Sequence, residues 1–288
     1  MKEGRQKGFW PLAIVFGLFV LFLYGPVITI FVLSFQGPEG GLTFPMRGWS
    51  LHWYRELWEG LGVVDIGAAL KRSLVLGLVV MALTVLLALT AGLAFRKKLV
   101  GANLLFYVTV ASLIMPSIIV SLGIGLQFRL LDGGIKWLLE AMGATAALEG
   151  YTTSLGLYTS GLGAHLTWTL PFGLLIMFAV FNRFNPAYEE AARDQGATPW
   201  QTFWHVVLPL IGPSVVGIGM FGFTLSWDEI ARSSQAMGDL NTLPLELQGL
   251  TTTVTTPVIY ALGTVTTAIS FAVMGLTLAL VALWRRRT

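Results

Sequence analysis

Glu190-Ala191-Ala192-Arg193-Asp194-Gln195-Gly196, followed by Leu208-Pro209, is a polar interruption between two long apolar runs. A short connecting loop would suffice there, yet the residues read as structured. Asn185 suits an N-cap, Pro186 suits the first helical position, and residues 187–195 are mostly helix formers. Gly196 suits the left-handed residue that ends a helix. Thr198 then caps a second helix, with Pro199 at its start and Trp200, Phe203, Trp204 and Val207 along it. The spacing predicts two short helices joined at an angle by Gly196-Ala197-Thr198. Two alanines and a glycine leave a low-relief surface onto which another protein can pack. The plainer alternative is an interfacial amphipathic linker with no partner.

The flanks of this stretch decide the class. Of 288 residues, 55% are hydrophobic and 11% charged, and the mean hydropathy is +0.74. Soluble domains carry about 25% charged residues, so this composition belongs in lipid. Six runs are long enough to span, at 9–35, 73–95, 104–126, 162–181, 211–226 and 258–284. The fifth is rich in Gly and Pro and runs into Asp228-Glu229. Gly222 and Ser226 on it form a small-xxx-small face suited to close helix contact. The first run is too long for a signal-peptide core and lacks a small-x-small cleavage site. Pro26, Pro116 and Pro171 are expected to shape helices rather than touch a solute.

Charge orients the spans. With both termini cytoplasmic, the inner segments hold 11 of the 18 basic residues and 4 of the 15 acidic ones, a net of +7 inside and −4 outside. The positive-inside rule therefore places both termini and the 182–210 loop in the cytoplasm. The basic balance reflects topology, so no nucleic-acid partner is expected. Trp49, Trp53, Tyr54, Trp58 and Trp137 fall on outer segments, where interfacial aromatics are favoured. A short amphipathic helix is expected at 135–140, inside the outer segment 127–161.

Several chemistries are excluded. The chain has no cysteine, which removes disulfides, thiol catalysis and cysteine-based metal sites. No Gly-Lys-Ser/Thr phosphate loop occurs, so ATP hydrolysis is not expected here. His52, His165 and His205 lie on separate segments without metal spacing, and no nucleophile elbow is present. No metal site and no catalytic residue is expected.

Glu190-Ala191-Ala192, three residues, Gly196, nine residues and Val206-x-Leu208-Pro209 resemble the EAA loop of bacterial ABC importer permeases, with valine for the usual isoleucine. Further stretches resemble the spermidine/putrescine-type branch. They are Ser34-Phe35, Ser50-Leu51-His52-Trp53-Tyr54, Met115-Pro116, His165-Leu166-Thr167-Trp168-Thr169-Leu170-Pro171-Phe172 and Phe223-Thr224-Leu225-Ser226-Trp227-Asp228-Glu229. Two departures concern the solute. Ser117 stands where polyamine members often carry an acid, and the 127–161 segment is long.

The resemblance implies an all-α polytopic membrane protein, a single permease domain over 1–288 with six transmembrane helices, of the type I ABC importer transmembrane fold. It implies a bacterial inner-membrane location and no cofactor on this chain. ATP and Mg would sit on two copies of a cytoplasmic ATPase. The other implied partners are a second permease subunit, a periplasmic or lipid-anchored solute-binding protein, and membrane lipid. Glu190, Ala191, Ala192, Arg193, Asp194, Gly196 and Ala197 are the expected ATPase-docking residues.

Charges near membrane depth mark pathways. Asp228 and Glu229 are therefore the expected solute contacts, with His165 and Trp168 lining the same path. The competing reading has Arg232 pairing with one of the carboxylates at helical spacing, or both carboxylates hydrated at an outer mouth. A self-contained secondary transporter or channel for a cationic solute is the alternative function. It would show internal repeats and mid-membrane coupling groups, and neither is found.

Overall fold

The computed structural model describes residues 9–60, 65–96 and 101–285. Lys2, Arg5, Lys7, Lys97, Lys98, Arg286 and Arg287, all counted in the charge bias, lie outside these. Among the described residues the chain is helical, and its only strand-like pairing is an isolated bridge between Gln36 and Trp49. Six helices are long and apolar enough to cross a membrane. The chain divides into two compact units, residues 1–66 with 247–271, and 67–246 with 272–288.

The first unit contains α1 (Phe9–Leu33), whose 25 residues rise about 37 Å against a hydrocarbon core of about 30 Å. Beyond it, Ser34 and Tyr54 share a hydrogen bond of 2.6 Å, and Ser50 N–H donates to the Phe35 carbonyl at 2.9 Å. Two motifs noted separately in the sequence are thus one packed corner. On α2 (His52–Glu59), Trp53 buries against Val258 and Ala261 at the start of α12 (Val258–Arg285). Gln36 is buried and satisfied: its Oε1 accepts from Arg47 N–H at 2.7 Å and its Nε2 donates to the Gly41 carbonyl at 3.3 Å.

The second unit contains α3 (Ile66–Phe95), α4 (Ala102–Ile114), α5 (Ser117–Ala141), α6 (Thr145–Gly150), α7 (Leu162–Arg183), α8 (Ala187–Asp194), α9 (Pro199–Thr202) and α10 (Leu208–Trp227). Helix α11 (Leu243–Thr253) begins in it. Ala88 on α3, Met177 on α7 and Ile218 on α10 form one buried cluster. Small residues let these helices approach. A Cβ on Gly173 would lie 3.0 Å from the Ala88 side chain, and one on Gly222 would lie 3.3 Å from the Met81 backbone. The Thr84 and Thr169 hydroxyls pair at 2.7 Å inside this contact.

Two expectations change. The third span is not continuous over 104–126. The chain breaks at Met115-Pro116, because the residue before a proline is driven out of the α region, and Met115 is extended at ψ 131°. Helix α5 then runs unbroken to Ala141, so the 135–140 stretch is its last turns rather than a separate helix. The second helix of the 182–210 loop is likewise not separate. Helix α9, a π-helical turn over Phe203–Val207 and α10 follow one another without a break, giving a single apolar span over Pro199–Trp227. Pro209 does not stop it: the π-helical turn over Phe203–Val207 lies immediately before it, and such a local adjustment is how membrane helices accommodate an internal proline.

Asp132 lies buried in α5 and is fully satisfied. Its carboxylate accepts from Tyr151 Oη at 2.6 Å, Thr153 Oγ1 at 2.6 Å, and both Ser154 N–H, at 2.7 Å, and Ser154 Oγ. A buried acid in an apolar helix needs such partners, and here they fasten the 151–154 turn to α5. The hydrogen bond it donates to Asp132 pushes the Tyr151 phenol up from its ordinary value.

Candidate functional site

The loop between α7 and α10 is built locally. The cap position falls to Pro186, one residue later than expected, so Asn185 lies two residues ahead of α8, where its side chain accepts from Ala187 N–H at 3.1 Å. The helix ends in a Schellman motif. Gly196 takes φ +83°, its N–H donates to the Arg193 carbonyl at 2.8 Å, and Ala197 N–H reaches the Ala192 carbonyl at 3.0 Å. Thr198 and Gln201 form a capping box, with Thr198 N–H on Gln201 Oε1 at 2.9 Å and Gln201 N–H on Thr198 Oγ1 at 3.3 Å. The corner between the helices is therefore held by backbone caps on both sides.

Glu190, Ala191, Arg193, Asp194 and Gly196 are exposed, and Ala192 and Ala197 are half-buried. Trp200 is also open, 68% exposed. The opposite face of α8 is anchored. Arg96, just past the end of α3, donates two parallel hydrogen bonds to the Glu189 carboxylate, at 2.8 and 2.7 Å. Its guanidinium lies 5.1 Å from the Phe181 ring centre and 5.0 Å from that of Phe184. The hydrogen bonds from Arg96 hold the Glu189 carboxyl below its ordinary value, against the opposing effect of burial. In the sequence both residues registered only as topological charges. No local pattern links positions 93 residues apart.

The residues expected to contact the solute gather around the segment after α10. His165 is buried; its Nδ1 meets Ser226 Oγ at 2.8 Å and its Nε2 meets Ser233 Oγ at 3.0 Å. Ser233 Oγ donates to the Glu229 carbonyl at 2.6 Å, so it accepts from Nε2–H, and Nδ1 accepts from Ser226. A neutral ring satisfies this arrangement completely. Trp168 faces Arg232, with the guanidinium carbon 4.9 Å from its ring centre.

Asp228 is exposed and has no side-chain hydrogen bond or ion pair among the described residues. The protein packed around its base still withdraws enough water to push its carboxyl up from the ordinary value. Glu229 accepts the backbone N–H of Arg232 at 2.8 Å. The anticipated ion pair of Arg232 with Asp228 or Glu229 does not form among the described residues. Helix α10 ends at Trp227, so the helical i,i+3 and i,i+4 spacing that would align those side chains is lost.

The pattern defining the binding-protein-dependent transport system inner membrane component family matches residues 84–286. The chain is 28% identical to the putrescine transport system permease protein PotI of Escherichia coli, over 78% of this chain and 74% of that one. It is 28% identical to the spermidine/putrescine transport system permease protein PotC of Haemophilus influenzae, over 88% of this chain and 89% of that one. A solved structure, of a bacterial ABC transporter involved in the import of the acidic polysaccharide alginate, superposes with a TM-score of 0.58 at 15% identity, covering 100% of both chains. That likeness concerns the fold. With six membrane-spanning helices and a family pattern over most of its length, the chain belongs to the inner-membrane components of binding-protein-dependent transport systems.

Proposed function

We propose that this chain is the permease subunit of an ATP-driven importer for a small polar organic amine, with the polyamines as the leading solute class. The names of its relatives support that solute class. Two copies of an ATPase subunit carrying ATP and Mg, a second permease subunit and a periplasmic or lipid-anchored binding protein complete the machine. The 1–288 chain acts as one translocation domain with both termini in the cytoplasm, as the charge bias favours. Chemistry on the ATPase is converted here into movement only.

The carrying observation is the doubly capped α8–α9 corner. Its Glu190, Ala191 and Asp194 face is open, while Glu189 on its other face is fastened to Arg96 at the end of α3. A force applied to the exposed face is thereby delivered to a membrane-spanning helix rather than dissipated in a loop. The two access states of the pathway differ in free energy by the differential contacts the ATPase makes with this corner. Asp228 and Glu229 receive the ammonium group of the solute and Trp168 lines the same path, while His165, buried behind it, holds Ser226 and Ser233 in place.

The test uses the cysteine-free background. Ala191→Cys in the assembled importer should form a short-reach crosslink to the ATPase subunit, and Ser50→Cys should not. A complex that retains its ATPase but crosslinks equally well from Ser50 would overturn the assignment of the docking face.

A further inference from the structure

We propose that Arg232 is an anion-binding subsite of the solute path, and that the transported amine also carries a carboxylate or phosphonate group. This rests on the reading above that Asp228 and Glu229 face the solute, and it departs from that reading in one respect, replacing the polyamines with an amine that also carries an acid.

Arg232 is fully buried. Its backbone is held by neighbours: Ser121 Oγ donates to its carbonyl at 2.8 Å, and Gln235 N–H returns to Ser121 Oγ at 3.2 Å. Ser160 Oγ fixes the Ala236 carbonyl at 2.6 Å, and Gly125 leaves room for the Gln235 carbonyl. The side chain is therefore placed by the fold and is not an incidental surface rotamer.

Its guanidinium has no ion-pair partner among the described residues: the Glu229 carboxylate is near enough to act on its charge but spends its hydrogen bond on the Arg232 backbone N–H. Nε donates to Ser117 Oγ at 3.3 Å, Nη1 donates to Thr167 Oγ1, and the guanidinium lies over Trp168. Nη2 is buried without any partner. All three neighbours are neutral, and no carboxylate among the described residues comes within ion-pair distance. The acids that might have served are engaged elsewhere or open. Glu229 holds the backbone N–H of Arg232, Asp132 is saturated by its own donors, and Asp228 is exposed.

A guanidinium cannot shed its proton to relieve this. An ionisable group buried in a membrane protein marks a functional site by default, and its partner has to be named. Ser117 is the first residue of the 25-residue α5, so the positive end of that helix lies at the same spot. Both fields favour a compact oxyanion, and the free Nη2 edge supplies donors for it. The carboxylates of Asp228 and Glu229, four and three residues earlier in the chain, supply the opposite charge for an ammonium group. A diamine would bring a second cation against a fixed one, whereas an amino-acid-like or aminophosphonate solute matches both signs.

Lipid headgroups can share this chemistry, and the test separates the sources. The complete importer is reconstituted in phosphatidylcholine nanodiscs, and thermal stabilisation is titrated with 4-aminobutanoate, 2-aminoethylphosphonate and putrescine. At least one of the two zwitterions should bind the wild type tenfold or more tightly than putrescine. Arg232→Gln should lose that preference by at least tenfold, and Arg232→Lys, which keeps charge but loses the fork, should fall between. If Arg232→Gln does not assemble, Arg232→Lys decides: a zwitterion preference equal to that of the wild type overturns the proposal, because a preference set by the solute-binding protein would not depend on Arg232. Putrescine binding as tightly as both zwitterions, or no shift with any of the three, overturns the proposal. So does stabilisation that comes only from adding phosphatidylethanolamine to the disc, which would assign the site to lipid. If Asp228→Asn weakens putrescine while Arg232→Gln changes nothing, the solute path stands and the anion subsite falls. If Asp228→Asn changes nothing while Arg232→Gln abolishes zwitterion binding, the reverse holds.

Discussion

Arg96 and Glu189 join the end of α3 to the exposed α8 through two hydrogen bonds of 2.8 and 2.7 Å. Both side chains are largely shielded, and two phenylalanine rings flank the guanidinium. The geometry is bidentate, which makes the pair more than an ordinary surface ion pair. It also sits at clefts on either side of Arg96, one of about 810 Å³ beside Phe106 and Phe178, the other of about 620 Å³ beside Pro199 and Phe203.

Breaking the pair should loosen α8 before it loosens the spans. Glu189→Gln is expected to cost roughly 0.5–1 kcal/mol locally, about a two- to fivefold rise in amide exchange within α8. The pH dependence follows from the depressed Glu189 carboxyl. Its contribution is complete above the ordinary carboxylate range and is lost as pH falls through the lowered folded-state value. Exchange in α8 should thus accelerate on acidification in the wild type and respond less in Glu189→Gln. Equal acid sensitivity in both would remove Glu189 as the cause.

Gly196→Val tests the corner itself. A Cβ there would meet nothing within 4 Å, so the cost is conformational and arises from φ +83°. A β-branched residue resists that region by roughly 1–2 kcal/mol. Solute-stimulated ATP hydrolysis and transport should drop while insertion and assembly persist. Wild-type coupling in a well-assembled Gly196→Val complex would count against the docking role.

Single cysteines at Gly4, Ser50, Lys98, Thr152, Thr198 and Asn241 should label from alternating sides of intact cells. Gly4, Lys98 and Thr198 are expected to react only from the cytoplasm. Labelling of Thr198→Cys by an impermeant reagent from outside would sink the proposed orientation.

The carboxylates after α10 should separate by role. Asp228 has no side-chain hydrogen bond or ion pair among the described residues, so Asp228→Asn removes charge without breaking one. If it receives an ammonium group, apparent uptake affinity should fall about tenfold, the scale of a charge-assisted hydrogen bond worth roughly 1.5–3 kcal/mol. Glu229→Gln keeps an acceptor for the Arg232 N–H and should leave assembly intact. Because the Arg232 guanidinium pairs with neither acid, the effects of Asp228→Asn and Arg232→Gln should add. Unchanged uptake in both carboxylate variants would return the pair to a hydrated mouth.

Gly125→Ala should disturb the same region from behind. Its Cβ would lie 2.6 Å from the Gln235 carbonyl oxygen, a backbone atom that cannot swing aside. A destabilisation of about 1–3 kcal/mol is expected for such overpacking, read as a lower melting temperature of the assembled complex. Gly123→Ala, where the added carbon meets nothing within 4 Å, is the control.

What the sequence determined by itself is what local chemistry and composition dictate. Apolar length specified six crossings, and glycine, proline and capping residues specified the α8–α9 corner down to the left-handed Gly196. These signals lie within a few residues of the features they produce, so they can be read along the chain. The same locality misled at Met115-Pro116 and at Leu208-Pro209. One proline broke a span that hydropathy joined, and the other lies inside a continuous span, just after a π-helical turn. Only the tertiary structure decided which charges meet. Arg96 finds Glu189, Asp132 finds the 151–154 turn, and Arg232 finds Ser117 and Thr167 instead of its near neighbours in sequence. Burial makes those choices, because a charge removed from water takes whichever partners the packed helices bring within reach, and sequence spacing carries no record of them.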